Sequence, residues 1–547
     1  SAATTNISGQ NYKSDALKAL GILTEDTPQA FTRADMAFVI ATLLNMNDQN
    51  PIDMNGYSDV PTDHKMANAI ERVSKLGIMN GYGSSFDPDG RITYEQAVKA
   101  LVSTLGYDMI ANQKGGYPTG YIATANDIGL MQGIKGSEMS FDFMVELLYN
   151  AIRIDILQMT GFGDDVNYEV YKNVTLLSKY RNIYYGTGLV KANELTWIQK
   201  ADSIGENKIY IGTNVYNVKD FNTSELLGYH INYFYEEKDT DLEFVYGFAV
   251  PEKNKTTWIK AEDILPDNID FNLKNIVYED SNKSEKKLKL GEYIDVIYNN
   301  ISFLNFQLDD LKIKNGFMEC IDNNNDNVIE IIKIYEYENY IVKAVDSDKI
   351  YDVFGKTIDI TDSGDKKISA YKEDGTKLEF AKIEKNSVIS AFRSKDNRFI
   401  KLISVSKKLD GIINEINLEE NTIVIDDTVY KISAEFLERQ HANTVNAPKF
   451  ELGKSYNLLL DYEGYIAGVS IEAVTKDTYA ILVDAHPLTG LNSSEVNFKI
   501  FGENGALQIL KGSKKISLNG DHTYTPLLVY NDSKISKNGK VIPQLIK

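Results

Sequence analysis

A single cysteine, Cys320, leaves no partner for an internal disulfide and too few thiolates for a cysteine-rich zinc site. It reads as a small buried hydrophobe in a strand. Histidine is scarce as well. His64, His230, His441, His486 and His522 are scattered, and none has the i, i+4 partner of a metal-binding helix, so a histidine metal site would need long-range convergence. No stretch approaches the ~18 to 20 apolar residues that cross a bilayer as a helix. Basic residues are outnumbered, 58 against 78, and the net charge of -20 disfavours nucleic acid and anionic lipid as partners. No nucleophile elbow, phosphate loop or dinucleotide fingerprint occurs, and Gly186-Thr187-Gly188 is too short to count. Paired carboxylates for glycoside cleavage could meet in the fold, but the abundance of Asp and Glu is no argument that they do.

What remains is an ordinary globular balance, 43% hydrophobic and 25% charged, in a chain of 547 residues, long enough for roughly three to five domains. Up to about residue 160 the apolar residues fall at helical spacing: Ala34, Ala37, Phe38, Ala41 and Leu44, then Met66, Ile70, Val73 and Leu76, then Ala97, Val98, Leu101, Val102 and Leu105. Further helices are predicted at Ala16 to Leu20, Tyr121 to Ile128 and Phe143 to Ile152. Leu20-Gly21-Ile22-Leu23, Leu76-Gly77-Ile78-Met79 and Ile128-Gly129-Leu130-Met131 recur at separations of 56 and 52 residues. Each glycine suits a left-handed stop at a helix C-terminus. New helices then start at Thr32, Thr93 and Ser140; Thr32 with Asp35 and Thr93 with Gln96 have capping-box spacing, whereas Phe143 cannot close a box for Ser140. The unit is helix, loop, helix, used three times.

Beyond Gly161 short alternating runs of Ile, Val, Tyr and Phe between Gly, Asn and Asp clusters predict hairpins and small sheets. Asn207 to Tyr216 matches Asn421 to Tyr430, with a looser relative at Lys515 to Asp521. Leu-Gly followed by Asn or Asp recurs at Leu227-Gly228 to Asn232, Leu290-Gly291 to Asp295 and Leu452-Gly453 to Asn457. One small β module is reused. The fold class is therefore multidomain α+β: an all-α unit over about 1–160, with repeats at about 1–50, 51–108 and 109–160, then β-rich modules at about 161–270, 271–408, 409–475 and 476–547.

The helical repeats resemble the S-layer homology (SLH) domain. Phe31-Thr32-Arg33-Ala34-Asp35 is similar to the family's Thr-Arg-Ala-Glu helix start, and Tyr57-Ser58-Asp59-Val60-Pro61 to its Phe-x-Asp-Val-Pro segment. Leu76 to Tyr82, continued by Phe86 to Thr93, follows its inter-helix loop. The β modules resemble those that follow such repeats in large clostridial surface proteins. The resemblance implies three repeats packed as a pseudo-threefold prism, a cell-wall location outside the cell after signal-peptide removal, and binding of secondary cell-wall polysaccharide between repeats. The small polar start Ser1-Ala2-Ala3-Thr4-Thr5 suits a chain after signal-peptide cleavage. In that reading Arg33 offers a donor fork beside free backbone N–H groups at a helix start, where a sugar carboxylate would sit. Thr32 and Asp35 cap the helix, and Asp59, Gly81 and Tyr82 shape a neighbouring groove. Arg33 reads about equally as a solvated first-turn residue, Asp59 as a cap for the following helix, and Tyr82 as a loop tyrosine packed on its own repeat. The arginine is replaced by Tyr94 in the second repeat and Asp142 in the third, so one groove at most keeps it.

Asp322-Asn323-Asn324-Asn325-Asp326-Asn327 places oxygen side chains at Asp322, Asn324 and Asp326 like the start of a calcium loop, but it lacks the sixth-position Gly, and Lys333 stands where an EF-hand needs Glu. An Asn-rich hairpin turn is the stronger reading. Calcium between modules is the one cofactor hypothesis, and chelation lowering the melting temperature is its test. The expected function is construction of the cell surface, as an array or filament of self-associating copies, with the 34 tyrosines suited to interfaces. The rivals are a monomeric wall-bound adhesion protein and an anchored glycan hydrolase.

Overall fold

The computed structural model describes residues 11–46, 56–160, 167–200, 202–219, 221–265, 274–361, 364, 366–470, 480–487, 496–502, 506–512, 515–518, 521–524, 536–538 and 540–546. The first five residues and the turn at 519–520 lie outside them.

Seven helices precede the first described strand: α1 Tyr12–Ala19, α2 Arg33–Leu43, α3 Ala67–Lys75, α4 Tyr94–Thr104, α5 Asp108–Gln113, α6 Thr119–Asp127 and α7 Phe141–Ala151. The short α5 carries no amphipathic signal long enough to predict. The glycine stops form as the spacing requires: Gly21, Gly77 and Gly129 take φ of +67°, +70° and +80°. After each, the next residue's N–H returns to a carbonyl five residues back, Ile22 to Leu17 (2.9 Å), Ile78 to Val73 (3.0 Å) and Leu130 to Ala125 (2.8 Å). Both capping boxes close, and Ser140 caps α7 through the Phe143 N–H alone. Two details of the apolar pattern differ. α2 buries Met36, Val39, Ile40 and Leu43 besides Ala34, Ala37 and Ala41, because it runs through the middle of the core, whereas Phe38 of the expected stripe is only half-buried; Leu76, beyond the last turn of α3, is exposed.

The helices share one hydrophobic core. Within it α1 packs on α7, α2 on α3, and α4 on α6. The first helix of each helix–loop–helix unit thus lies against the second helix of another unit. An ion pair from Lys13 to Glu146, 2.5 Å, joins α1 to α7.

The β region begins with the paired strands Leu157–Thr160 and Asn167–Val170, followed by an unforeseen helix, α8 Leu176–Arg181, capped by Thr175 and docked on the helical core through Leu176 and Leu177. A closed five-stranded barrel follows, formed by Ile183–Asn193, Lys208–Ile211, Asn214–Val218, Asp241–Ala249 and His230–Lys238 in that order. Its Ile183, Phe234 and Phe248 belong to the helical core, and Phe248 stacks on Tyr12 with ring centroids 4.2 Å apart. Bundle and barrel are therefore one packed body.

A six-stranded sheet spans residues 255–335. Its strand Phe317–Asp322 pairs on one side with Lys255–Lys260 and on the other with Ile329–Tyr335, so one sheet runs across the expected boundary at 270. A seven-stranded sheet covers 337–405, two three-stranded sheets with α9 (Ala434–His441) cover 408–470, and a four-stranded sheet lies within 480–546. Cys320 is wholly buried in the first of these, and burial raises its thiol to about 12.

The repeated hairpin is structural as well as textual. Asn207 and Asn421 both take a left-handed φ, 54° and 55°, and each carbonyl accepts an N–H eleven residues on, from Val218 (2.7 Å) and Ile432 (2.9 Å). The two copies sit in different settings, one in the barrel and one in a three-stranded sheet. Of the Leu-Gly elements, Gly228 and Gly453 are left-handed turns, whereas Gly291 lies inside the long strand Glu285–Tyr298, where the register shifts.

Between the barrel and the six-stranded sheet sits a buried polar network. Lys333 and Glu319, each 2% exposed, form an ion pair at 3.5 Å. Glu319 also accepts from the hydroxyls of Tyr229 and Tyr335 (the latter 3.1 Å), and Lys333 donates to the Glu225 carbonyl at 2.9 Å. Burial works against the charge on Lys333 and lowers its pKa, while Glu319 opposes that shift.

Candidate functional site

The residues singled out at the start of α2 gather around one loop, 77–92, that belongs to the next helix–loop–helix unit. Thr32 closes its box with Asp35: the Asp35 N–H donates to Thr32 Oγ1 (3.1 Å), and the Thr32 N–H donates to Asp35 Oδ2 (2.9 Å). The first two helical N–H groups are not free. Arg33 N donates to the Gly90 carbonyl at 2.9 Å and Ala34 N to that of Pro88 at 3.0 Å, so the loop itself fills the position assigned to a sugar carboxylate.

Arg33 is 5% exposed and is neither a solvated residue nor an open fork. Its Nε donates to the Phe86 carbonyl (2.8 Å) and its Nη2 to the Asn80 carbonyl (3.0 Å), with the guanidinium 4.6 Å from the Phe86 ring centroid and 5.2 Å from that of Tyr82. It staples the two ends of the loop together. Asp59 caps no helix: its carboxylate accepts the N–H groups of Phe86 and Asp87, both at 2.8 Å. Gly81 donates its N–H to the Tyr57 hydroxyl (3.0 Å), and a methyl group there would overlap the Ser85 carbonyl and the Tyr57 ring.

Desolvation disfavours the charge on Asp59, but the two N–H donors and Ser85 outweigh it and hold the carboxyl below its usual range. A depressed folded value means that this stabilisation is full above the unfolded pKa, about 3.9, and is lost as pH falls through the folded one. Asp59→Asn is expected to melt lower than wild type, with the gap widest near pH 6 and closing toward pH 3; thermal melts across that range check it.

Tyr82, by contrast, is 64% exposed. It lies over Arg33, and its hydroxyl accepts from Gln96 Nε2 at 2.7 Å. Tyr117, 56% exposed, is near enough to Glu95, Tyr82 and Arg33 to feel their charges; burial, then Glu95 and Tyr82, raise its pKa, and Arg33 lowers it. Exposed phenol rings at Tyr82 and Tyr117, with the Gln96 amide bound to the Tyr82 hydroxyl, are groups that can stack on and hydrogen-bond a sugar. Gln96, Glu95 and Tyr117 were absent from the sequence-based site. The signal for Tyr117 was its place in Gly115-Gly116-Tyr117-Pro118, a turn that lifts an aromatic ring toward solvent.

The Asn-rich segment is the hairpin turn between Phe317–Asp322 and Ile329–Tyr335. Asp322 is 1% exposed and gives Oδ1 to the N–H groups of Asn324, Asn325 and Asp326 and Oδ2 to that of Asn327. Asn324 turns its oxygen to the Asp326 N–H (2.9 Å) and its amide to Glu330 (3.1 Å), so the third carboxylate beside Asp322 and Asp326 is Glu330. One oxygen from each of the three lies within 4.8 Å of the others. The donor set suits a hard cation, but the Asp322 oxygens are already committed to four backbone donors that close the turn. Lys333, the residue at the EF-hand Glu position, belongs to the buried ion pair instead.

Residues 56–98 match the S-layer homology domain, and this stretch holds Asp59, Gly81, Tyr82 and the loop that covers α2. The chain therefore carries an S-layer homology domain and is homologous to bacterial wall and surface-layer proteins. It is 24% identical to the Middle cell wall protein of Brevibacillus brevis over 59% of this chain and 35% of that one. It is 21% identical to the Surface layer protein of Brevibacillus choshinensis over 89% of this chain and 49% of that one, and 31% identical to a Cell surface protein of Thermoanaerobacter kivui over 20% and 14%. The chain thus spans half or less of the length of these relatives. Among the described residues no helix is long and apolar enough to cross a membrane.

Proposed function

We propose that the chain is a structural component of a bacterial cell surface, outside the cell, held to wall polysaccharide by its helical unit and presenting β modules that associate with further copies. The observation that carries this reading is the domain match at 56–98 together with homology to proteins named for the wall and the surface layer. The cyclic packing of α1 on α7, α2 on α3 and α4 on α6 supports three repeats arranged about a pseudo-threefold axis. A structural role, and not catalysis, is the reading those relatives favour.

The wall-binding surface in this reading is the Tyr82–Tyr117 pair, and Arg33 serves it by holding the loop. Loss of one stacking ring is worth about 1 kcal/mol or somewhat more, close to a tenfold change in affinity. Tyr82→Ala is accordingly expected to weaken co-sedimentation with purified cell walls about tenfold, with a melting temperature lowered far less than by loss of Arg33. Undiminished wall binding in the Tyr82→Ala, Tyr117→Ala double variant would remove the pair from the proposal. Electron microscopy of the concentrated protein separates an assembling coat from a monomeric adhesion protein.

A further inference from the structure

Beyond that reading, the joint between the seven-stranded sheet (337–405) and the unit at 408–470 has two unlike halves. One half is dry. Tyr337, Ile341, Val388, Phe392, Ile403 and Val405 share a core with Leu459 and Ala467, and Gly468 lies so close to Ile341 that a side chain at 468 would overlap it.

The other half is acidic. The 408–470 unit inserts three carboxyl groups, Glu435 from α9 and Asp461 and Glu463 from the turn between Ser455–Leu460 and Ile466–Val469. Across the joint they meet neutral donors. Asn339 N–H donates to Glu435 (2.9 Å), Asn339 Nδ2 to Asp461 (2.9 Å), the Tyr337 hydroxyl to both Asp461 (3.1 Å) and Glu463 (2.9 Å), and the Gly316 N–H, from the six-stranded sheet's side, to Glu463 (3.1 Å).

The charged neighbours offset the charge of the group only in part. Glu435 faces Glu338, Lys356 and Tyr340 from the seven-stranded sheet, Lys314 from the loop before the strand Phe317–Asp322, and Arg439 from its own helix. Lys356 pairs with Glu338, Lys314 with Glu438 (2.8 Å), and Arg439 lies over the Phe354 ring at 4.0 Å. Lys260 is the cation that acts on Glu463. A crevice of about 500 Å³, lined by Glu435, Glu338, Lys356, Arg393 and Arg439, opens beside the joint and gives water and protons access to it.

We propose that this joint is a protonation-controlled hinge, in which the apolar half is the pivot and the acidic half closes when its carboxyl groups carry protons and loosens when they ionise. Burial is the main cause that raises Glu435, to about 7, reinforced by Glu338 and opposed by the Asn339 N–H, Arg439 and Lys356; burial also raises Glu463 and Asp461. With the folded value above the unfolded one, the closed joint is fully stabilised below about pH 4.3 and loses that stabilisation as pH rises toward 7.

The test is amide hydrogen exchange of the full chain at pH 5 and pH 8, expressed as protection relative to the intrinsic rate. Protection of peptides containing Asn339 and Gly316 is expected to fall about tenfold or more from pH 5 to pH 8, the ratio that one unit of displaced pKa produces. Helix α7, which holds no histidine, serves as the control. Glu435→Gln keeps an acceptor for Asn339 and is expected to flatten the response; Glu338→Gln is expected to move its midpoint to lower pH, since a like charge is removed. Equal protection at both pH values in the wild type, a full response in Glu435→Gln, or an unmoved midpoint in Glu338→Gln would each overturn the hinge.

Discussion

Glu319→Ala is expected to destabilise the protein by about 3–5 kcal/mol, the cost of leaving a buried charge without its partner. Lys333 would keep the Glu225 carbonyl as its acceptor, in a site where burial already disfavours its charge. The reverse substitution should cost less. In Lys333→Met the Glu319 carboxylate retains the hydroxyls of Tyr229 and Tyr335, so two donors still meet the charge. The double variant Glu319→Leu, Lys333→Met should recover only part of the loss. It removes both charges but strands the Tyr335 hydroxyl, while Tyr229 keeps Thr256 at 3.1 Å. Urea melts of the three variants give the ordering. A Glu319→Ala protein as stable as wild type would mean that the barrel and the six-stranded sheet do not depend on this pair.

Arg33→Ala is the second large effect. It removes two charge-assisted hydrogen bonds, to Phe86 and Asn80, and the cation between the Phe86 and Tyr82 rings, and it leaves the buried Phe86 carbonyl without that donor. With about 1.5–3 kcal/mol for each hydrogen bond to a charged group, a loss of about 3 kcal/mol is expected from the helical unit. Arg33→Lys should lose about half of that, because an ammonium on a flexible stem satisfies one carbonyl well and not a fixed pair. Wall binding should fall in Arg33→Ala together with a large drop in melting temperature, whereas Tyr82→Ala, which removes one ring contact and the Gln96 bond, should lower binding with only a small drop. That contrast separates the residue that builds the surface from the residue that forms it.

The local rules of the chain were legible wherever the deciding atoms are close in sequence. The left-handed glycines 21, 77 and 129, the boxes at Thr32 and Thr93 and the paired hairpins each depend on interactions within a dozen residues, so spacing alone reveals them. Arg33 was found but misread. Its partners lie 47 and 53 residues away, and a sequence does not show that another repeat's loop will lie across a helix start and take its free N–H groups. Asp59 was misread for the same reason, with acceptor and donors 27 and 28 residues apart. Leu76 satisfied the helical period yet is exposed, because the αL turn at Gly77 directs Ile78 and Met79 into the core instead. The Asn-rich segment was legible as a hairpin turn, but the carboxylate that stands beside Asp322 and Asp326 was not. Alternation of Asp and Asn suggests a ligand series, but only the hairpin register brings Glu330 back beside Asp322 and Asp326.

The stacking of Tyr12 on Phe248, and the entry of Ile183 and Phe234 into the helical core, have a mechanical consequence. On the proposed function, a tether of flexible residues would let a wall-bound helical unit swivel beneath the barrel. Here a pull on the helices reaches the barrel directly through aromatic contact, and the two rotate together. In a coat of many copies, the orientation of each barrel would then be set by how its neighbour in the chain sits on the wall, so lateral order could be inherited from the wall surface.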